Sequence, residues 1–149
     1  MSKSVDSIEP TSISTAKRPV VLVIDDDDAI RAALGELLED AGFAIADARH
    51  GREALEVLTT LQEPPAFILL DLMMPVMDGW AFCHIREASK TLREIPVVAI
   101  TAAPISASNK PVGIDAFLPK PIDVKNFAWL AVRMAGRKSY HDPEEPVLH

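Results

Sequence analysis

Five short apolar runs recur along the chain at intervals filled by amphipathic segments, and this alternation leaves few folds open. VVLVI (20–24), FAIADA (43–48), AFILL (66–70), PVVAIT (96–101) and DAFL (115–118) have the length and side chains of strands. Three of them are apolar almost throughout, as strands covered on both faces must be. After the first run, Ile30, Leu34, Leu37, Leu38 and Ala41 recur at helical spacing, and Gly42 supplies a stop. A second helix is expected over 51–61 with Ala54, Leu55, Leu58 and Leu61 inward. A third, over 79–89, draws its buried side from Trp80, Phe82, Cys83 and Ile85. The last, over 122–135, turns Phe127, Leu130, Ala131 and Met134 inward. Repeated βα units of this kind imply an α/β fold, a doubly wound parallel sheet with helices on both faces. One crossover stands apart. In AAPISASNKPVGI, Pro104 and Pro111 leave room for about two helical turns, so the fourth helix is expected to be short or irregular.

One domain is expected over residues 19–136, preceded by a Ser- and Thr-rich disordered leader (1–18) and followed by a flexible tail (137–149). A net charge of −7 argues against partners recruited through bulk positive charge, nucleic acid and anionic membrane among them. No apolar run approaches the roughly 20 residues that span a bilayer, and the first residues lack the apolar core of a signal peptide, so a cytoplasmic location is expected. A single cysteine, Cys83, cannot form an internal disulfide and reads as a small, half-buried hydrophobe.

In a doubly wound sheet the ligand site lies beyond the carboxyl ends of the strands. The polar residues there are Asp25 and Asp26 after the first run, Asp71 after the third, Thr101 ending the fourth and Lys120 just past the fifth. Two unit charges about 4 Å apart repel by roughly 4 kcal/mol at an effective dielectric near 20, so three clustered carboxylates need compensation. A lysine and a divalent cation would provide it, and an all-oxygen donor set suits Mg²⁺. A carboxylate beside Mg²⁺ can attack phosphorus to give an aspartyl phosphate. Helix capping is the better explanation for Asp27 and Asp28, and it can claim Asp26 as well; it has no need of Asp25. Asp78-Gly79 likewise suits the opening of a helix.

VLVIDDDDAIR, FILLDLMMPVMDG, PVVAITA and DAFLPKPI, spread over about residues 18–136, resemble the response-regulator receiver domain of bacterial two-component signalling. The resemblance implies a flavodoxin-like sheet of strand order 2-1-3-4-5. It implies that Asp71 is the phosphoacceptor, that Asp25, Asp26 and Asp71 hold Mg²⁺ (with Mn²⁺ able to substitute), and that the Met73 backbone carbonyl completes the protein ligands. Thr101 becomes the switch hydroxyl, Lys120 the phosphoryl-binding lysine and Phe117 the aromatic switch, while the Lys120–Pro121 peptide is expected to be cis. Phe117 stands where receivers often carry Tyr, so no phenol hydroxyl is available. Met73 and Ala103, at positions that tune dephosphorylation, cannot orient an attacking water, which points to slow self-hydrolysis.

The function so implied is a stand-alone receiver, not an enzyme. Its phosphoryl group comes from a sensor histidine kinase or a histidine phosphotransfer protein, and it signals through a phosphorylation-dependent contact with a downstream protein. A phosphorylation-independent interaction module keeps the fold without the chemistry. A phosphatase of the haloacid-dehalogenase kind would use Asp25 and Asp27 as a D-x-D pair, but Ala29 and the PIDVKNF that follows Lys120 depart from that pattern.

Overall fold

The computed structural model describes residues 18–136, so the expected leader and tail lie outside the described residues, apart from Arg18. Five strands are present: β1 (Val20–Ile24), β2 (Ala44–Ala48), β3 (Phe67–Asp71), β4 (Val97–Thr101) and β5 (Ala116–Pro119). They form one parallel sheet in the order β2-β1-β3-β4-β5. Four α-helices connect or follow them: α1 (Asp28–Asp40), α2 (Gly51–Thr60), α3 (Gly79–Ala88) and α4 (Val124–Ala135), with a 3₁₀ turn at Leu92–Glu94. Among the described residues no helix is long and apolar enough to cross a membrane.

The strand alternation divides the core into two layers. Val21, Val23, Phe67, Leu69, Val98 and Ile100 face α1 and α4, where they pack with Leu34, Leu38, Phe127 and Met134. Leu22, Ile24, Ile68, Leu70, Val97 and Ala99 face α2 and α3, where they meet Ala54, Phe82 and Cys83. Each central strand is buried on both faces, which is why its sequence is apolar without a period of two. Within the first layer Phe43 and Phe67 meet edge to face, with centroids 6.0 Å apart.

Local chemistry sets the helix ends. The Asp27 carboxylate caps α1 by accepting from the N–H groups of Ala29 and Ile30, and Asp28 occupies the first turn. Asp78 caps α3 through Ala81 N–H, and Asp123 caps α4, moving its start two residues inside the expected 122. Gly42 leaves α1 with φ +103°, a backbone region that favours glycine. Ala41, expected inward, is exposed because it sits at the helix end, beyond the last turn packed on the sheet. Leu61 lies just past α2, half-buried. Cys83 is fully buried and not half-buried, and burial pushes its thiol up to about 12, so it is an inert core residue.

The β4–β5 crossover departs furthest from a βα unit. Residues 102–115 contain turns and no helix, a stronger departure than the short helix expected. Pro104 and Pro111 remove two N–H donors and Ser106, Ser108 and Asn109 favour turns. The Asn109 side-chain oxygen accepts from Ser106 N–H at 2.7 Å, closing such a turn. This strap is tied to the body by Trp80, whose indole N–H donates to the Asn109 carbonyl at 2.6 Å, and by Ile105 and Ile114, which pack on the second layer.

Candidate functional site

The carboxyl ends of β1, β3, β4 and β5 lie side by side, so residues distant in sequence meet above them. Asp25 and Asp71 are buried, Asp26 is exposed, and one carboxylate oxygen from each lies within 4.8 Å of the others. The Asp25 N–H donates to the Ala48 carbonyl at 3.1 Å, which ties the β1 end to β2. Its Oδ1 accepts from Asp27 N–H at 2.9 Å, while its Oδ2 is buried with no hydrogen-bond partner. Asp71 Oδ1 accepts from Met73 N–H at 3.1 Å. Lys120 Nζ stands 3.9 Å from Asp25 Oδ2 and 3.7 Å from Asp71 Oδ2, close enough to offset charge but too far for a hydrogen bond.

Burial raises both buried carboxyl groups. Asp25 moves from 3.8 to about 6, chiefly by desolvation, and the negative charge of Asp71 adds to it; the Asp27 N–H and Lys120 pull the other way. Asp71 is also raised, again by burial first. A buried carboxylate oxygen without a donor, beside a second buried carboxylate, is a poor arrangement for the protein alone and a good one for a hard cation. The three carboxylates therefore fit a Mg²⁺ site.

A pH dependence follows. Between pH 3.8 and about 6 the folded chain holds a proton at Asp25 that the unfolded chain has released, so metal-free stability falls as pH rises through that window. Mg²⁺ requires the ionised group. Its affinity is expected to be level above about pH 7 and to drop by roughly tenfold per pH unit below about pH 6, as protons compete. Calorimetric Mg²⁺ titrations across this range check it, and a flat profile would remove Asp25 from the donor set.

Thr101 is buried at the end of β4, and its hydroxyl is engaged with its own loop: it accepts from Ala103 N–H at 3.0 Å and faces the Ala103 carbonyl at 3.4 Å. Phe117 is half-buried on β5. Thr101, Ala103, Ile105, Lys110, Phe117 and Lys120 line an open groove of about 760 Å³, which occupies the side of the site flanked by the helix-free strap. The Lys120–Pro121 peptide is cis. The Met73 side chain is exposed at the rim, and Val76, two residues after Met74, has φ 68°, a strained value for a β-branched residue.

Among the residues placed here, sequence reasoning missed Arg31. Its guanidinium bonds the Asp25 carbonyl, Asp28 and Asp47 behind the acidic loop. A lone arginine three residues past a run of four acids reads as a helix-surface charge; its contact with β2 has no local sequence signal. Arg86 was missed for the same reason. It is buried on α3 and donates to the carbonyls of Ile95 and Arg93, anchoring the turn ahead of β4.

Comparison with known proteins decides the family. The model of the response regulator receiver domain matches residues 21–129. This chain belongs to that family. As a receiver domain it is a signalling module and not an enzyme. Similar relatives include the response regulator MprA of Mycolicibacterium vanbaalenii, 37% identical over 105 residues that make up 68% of this chain and 43% of that protein. The chain thus spans less than half the length of that relative. The chemotaxis response regulator CheY4 of Vibrio cholerae superposes with a TM-score of 0.71 at 27% identity, covering 79% of this chain and 99% of that one. The receiver domain of the sensor histidine kinase PA1611 from Pseudomonas aeruginosa, solved with a magnesium ion coordinated in its active site cleft, shares the fold at 21% identity and a TM-score of 0.72, covering 82% of this chain and 100% of that one.

Proposed function

We propose that this receiver works alone in the cytoplasm, taking a phosphoryl group from a phosphohistidine onto Asp71 and signalling through a contact with a downstream protein. The donor is a sensor histidine kinase or a histidine phosphotransfer protein. The observation that carries the reading is the buried Asp25 Oδ2, which accepts no hydrogen bond, beside Asp71 and Lys120. Because Met73 N–H holds Asp71 Oδ1, the second oxygen of Asp71 is the one free to attack phosphorus. A P–O bond forms as the P–N bond to imidazole breaks, and the leaving imidazole takes up a proton.

Asp25, Asp26, Asp71 and the Met73 carbonyl would hold Mg²⁺, or Mn²⁺ in its place, and the cation would supply positive charge to offset that of the phosphoryl oxygens. Lys120 adds a second positive charge on the β5 side. Thr101 reaches the phosphoryl group only by giving up its bonds to Ala103, and that exchange makes it a switch. Phe117, in the adjoining groove, is the aromatic group that senses the change.

The strap in place of a helix favours a second reading, in which the output surface is fixed and independent of phosphorylation. One experiment addresses both. Acetyl phosphate with Mg²⁺ is expected to label the protein, and beryllofluoride with Mg²⁺ is expected to shift amide resonances over 101–120. Labelling without any shift in that segment would favour the fixed module; no labelling would sink the phosphoacceptor reading.

A further inference from the structure

We infer that Arg31 is a positioning residue for the cation site, presenting Asp25 and Asp26 by holding the peptide that joins them. The inference rests on the Mg²⁺ site proposed above. Arg31 Nη1 donates to the Asp25 carbonyl at 2.8 Å, Nη2 to Asp28 Oδ1 at 2.7 Å, and Nε to Asp47 Oδ2 at 3.2 Å. The side chain is only 14% exposed. One rigid guanidinium therefore ties together the end of β1, the first turn of α1 and β2.

The geometry matters because a carbonyl shares its plane with the next residue's N–H. Fixing the Asp25 carbonyl fixes the peptide on which Asp26 begins. Asp26 needs such help: it is exposed, and its carboxylate accepts no hydrogen bond among the described residues, yet it approaches Asp25 and Asp71. Asp25 is secured twice more, by its N–H on Ala48 and by Asp27 N–H on its Oδ1. Arg31 is the contact that extends this order to the following peptide. Lysine cannot reproduce it, since a single ammonium lacks the planar fork that reaches three acceptors in fixed directions.

The sign of the effect separates positioning from bulk electrostatics. Removing a cation beside a cluster of carboxylates makes the local potential more negative, so charge alone makes Mg²⁺ bind more tightly. Loss of positioning makes it bind more weakly. Mg²⁺ titration of the full chain by calorimetry, with circular dichroism to verify folding, is expected to show Arg31→Ala weakened by about tenfold. Arg31→Lys, which keeps the charge, is expected to fall between this variant and the wild type. Equal or tighter binding by Arg31→Ala overturns the inference; should that variant not fold, Arg31→Lys is judged by the same sign. A wild-type chain that binds no Mg²⁺ removes the cation site itself and Arg31's role with it, a failure told apart by the first titration alone.

Discussion

Asp71→Asn is expected to reduce phosphoryl incorporation from acetyl phosphate to background while leaving the fold intact and more stable without metal. Asparagine keeps the shape and can still accept from Met73 N–H, so the β3 end should not move. What it lacks is a nucleophilic carboxylate oxygen. The stability change has a definite sign. Burial raises the Asp71 carboxyl above its ordinary range, so the folded chain binds its proton more tightly than the unfolded chain. Stability is therefore lost as pH rises through the raised value, and at neutral pH the ionised group opposes folding. Removing the charge also relieves Asp25, which Asp71 pushes up. Urea denaturation at neutral pH should show the gain, and the gain should shrink under acid conditions where both carboxyls are protonated. A variant that still takes label would transfer the acceptor role to another side chain; a variant that loses label by unfolding would show the loss to be structural.

Gly79→Ala is expected to destabilise the protein by about 3 kcal/mol and to disturb the site as well. A Cβ at this position would lie 2.5 Å from Leu72 Cδ2 and 2.7 Å from Leu72 Cα. The second is backbone and cannot rotate away. Leu72 is fully buried, its carbonyl accepts from Gly79 N–H at 3.0 Å, and it directly follows Asp71. Relief of the clash must shift the β3–α3 loop, and small displacements of a reacting group cost far more in rate than in stability. Gly35→Ala is the contrasting change. Its Cβ would meet only Ile45, at 3.9 Å, and alanine in a helix interior is favoured over glycine by up to about 1 kcal/mol. Thermal denaturation of both variants should move in opposite directions. Similar midpoints for the two would contradict the close approach at Gly79.

Much of the architecture is legible in the amino-acid sequence. The central strands bury both faces, so their residues are apolar without interruption, and β1, β3 and β4 stand out within one residue of their observed limits. Asp27 and Asp78 cap helices through contacts two or three residues away, and short-range contacts leave short-range sequence signals. The crossover after β4 was legible only in part. Its prolines forecast a weakened helix, whereas the complete strap depends on Trp80 and on Ile105 and Ile114 finding the sheet, contacts set by packing at long range.

The same division holds at the site. Sequence alone determined which acids, hydroxyl and lysine occupy the strand ends, because a parallel sheet delivers every carboxyl end to one side, whatever the intervening helices contain. Only the tertiary structure decided how these groups bear on one another. The burial that raises Asp25 and Asp71, the Asp25 Oδ2 left without a hydrogen bond and the Arg31 bridge to Asp47 all depend on neighbours brought from other strands. Desolvation and directional hydrogen bonds act over a few ångströms in space, and no distance along the chain encodes them.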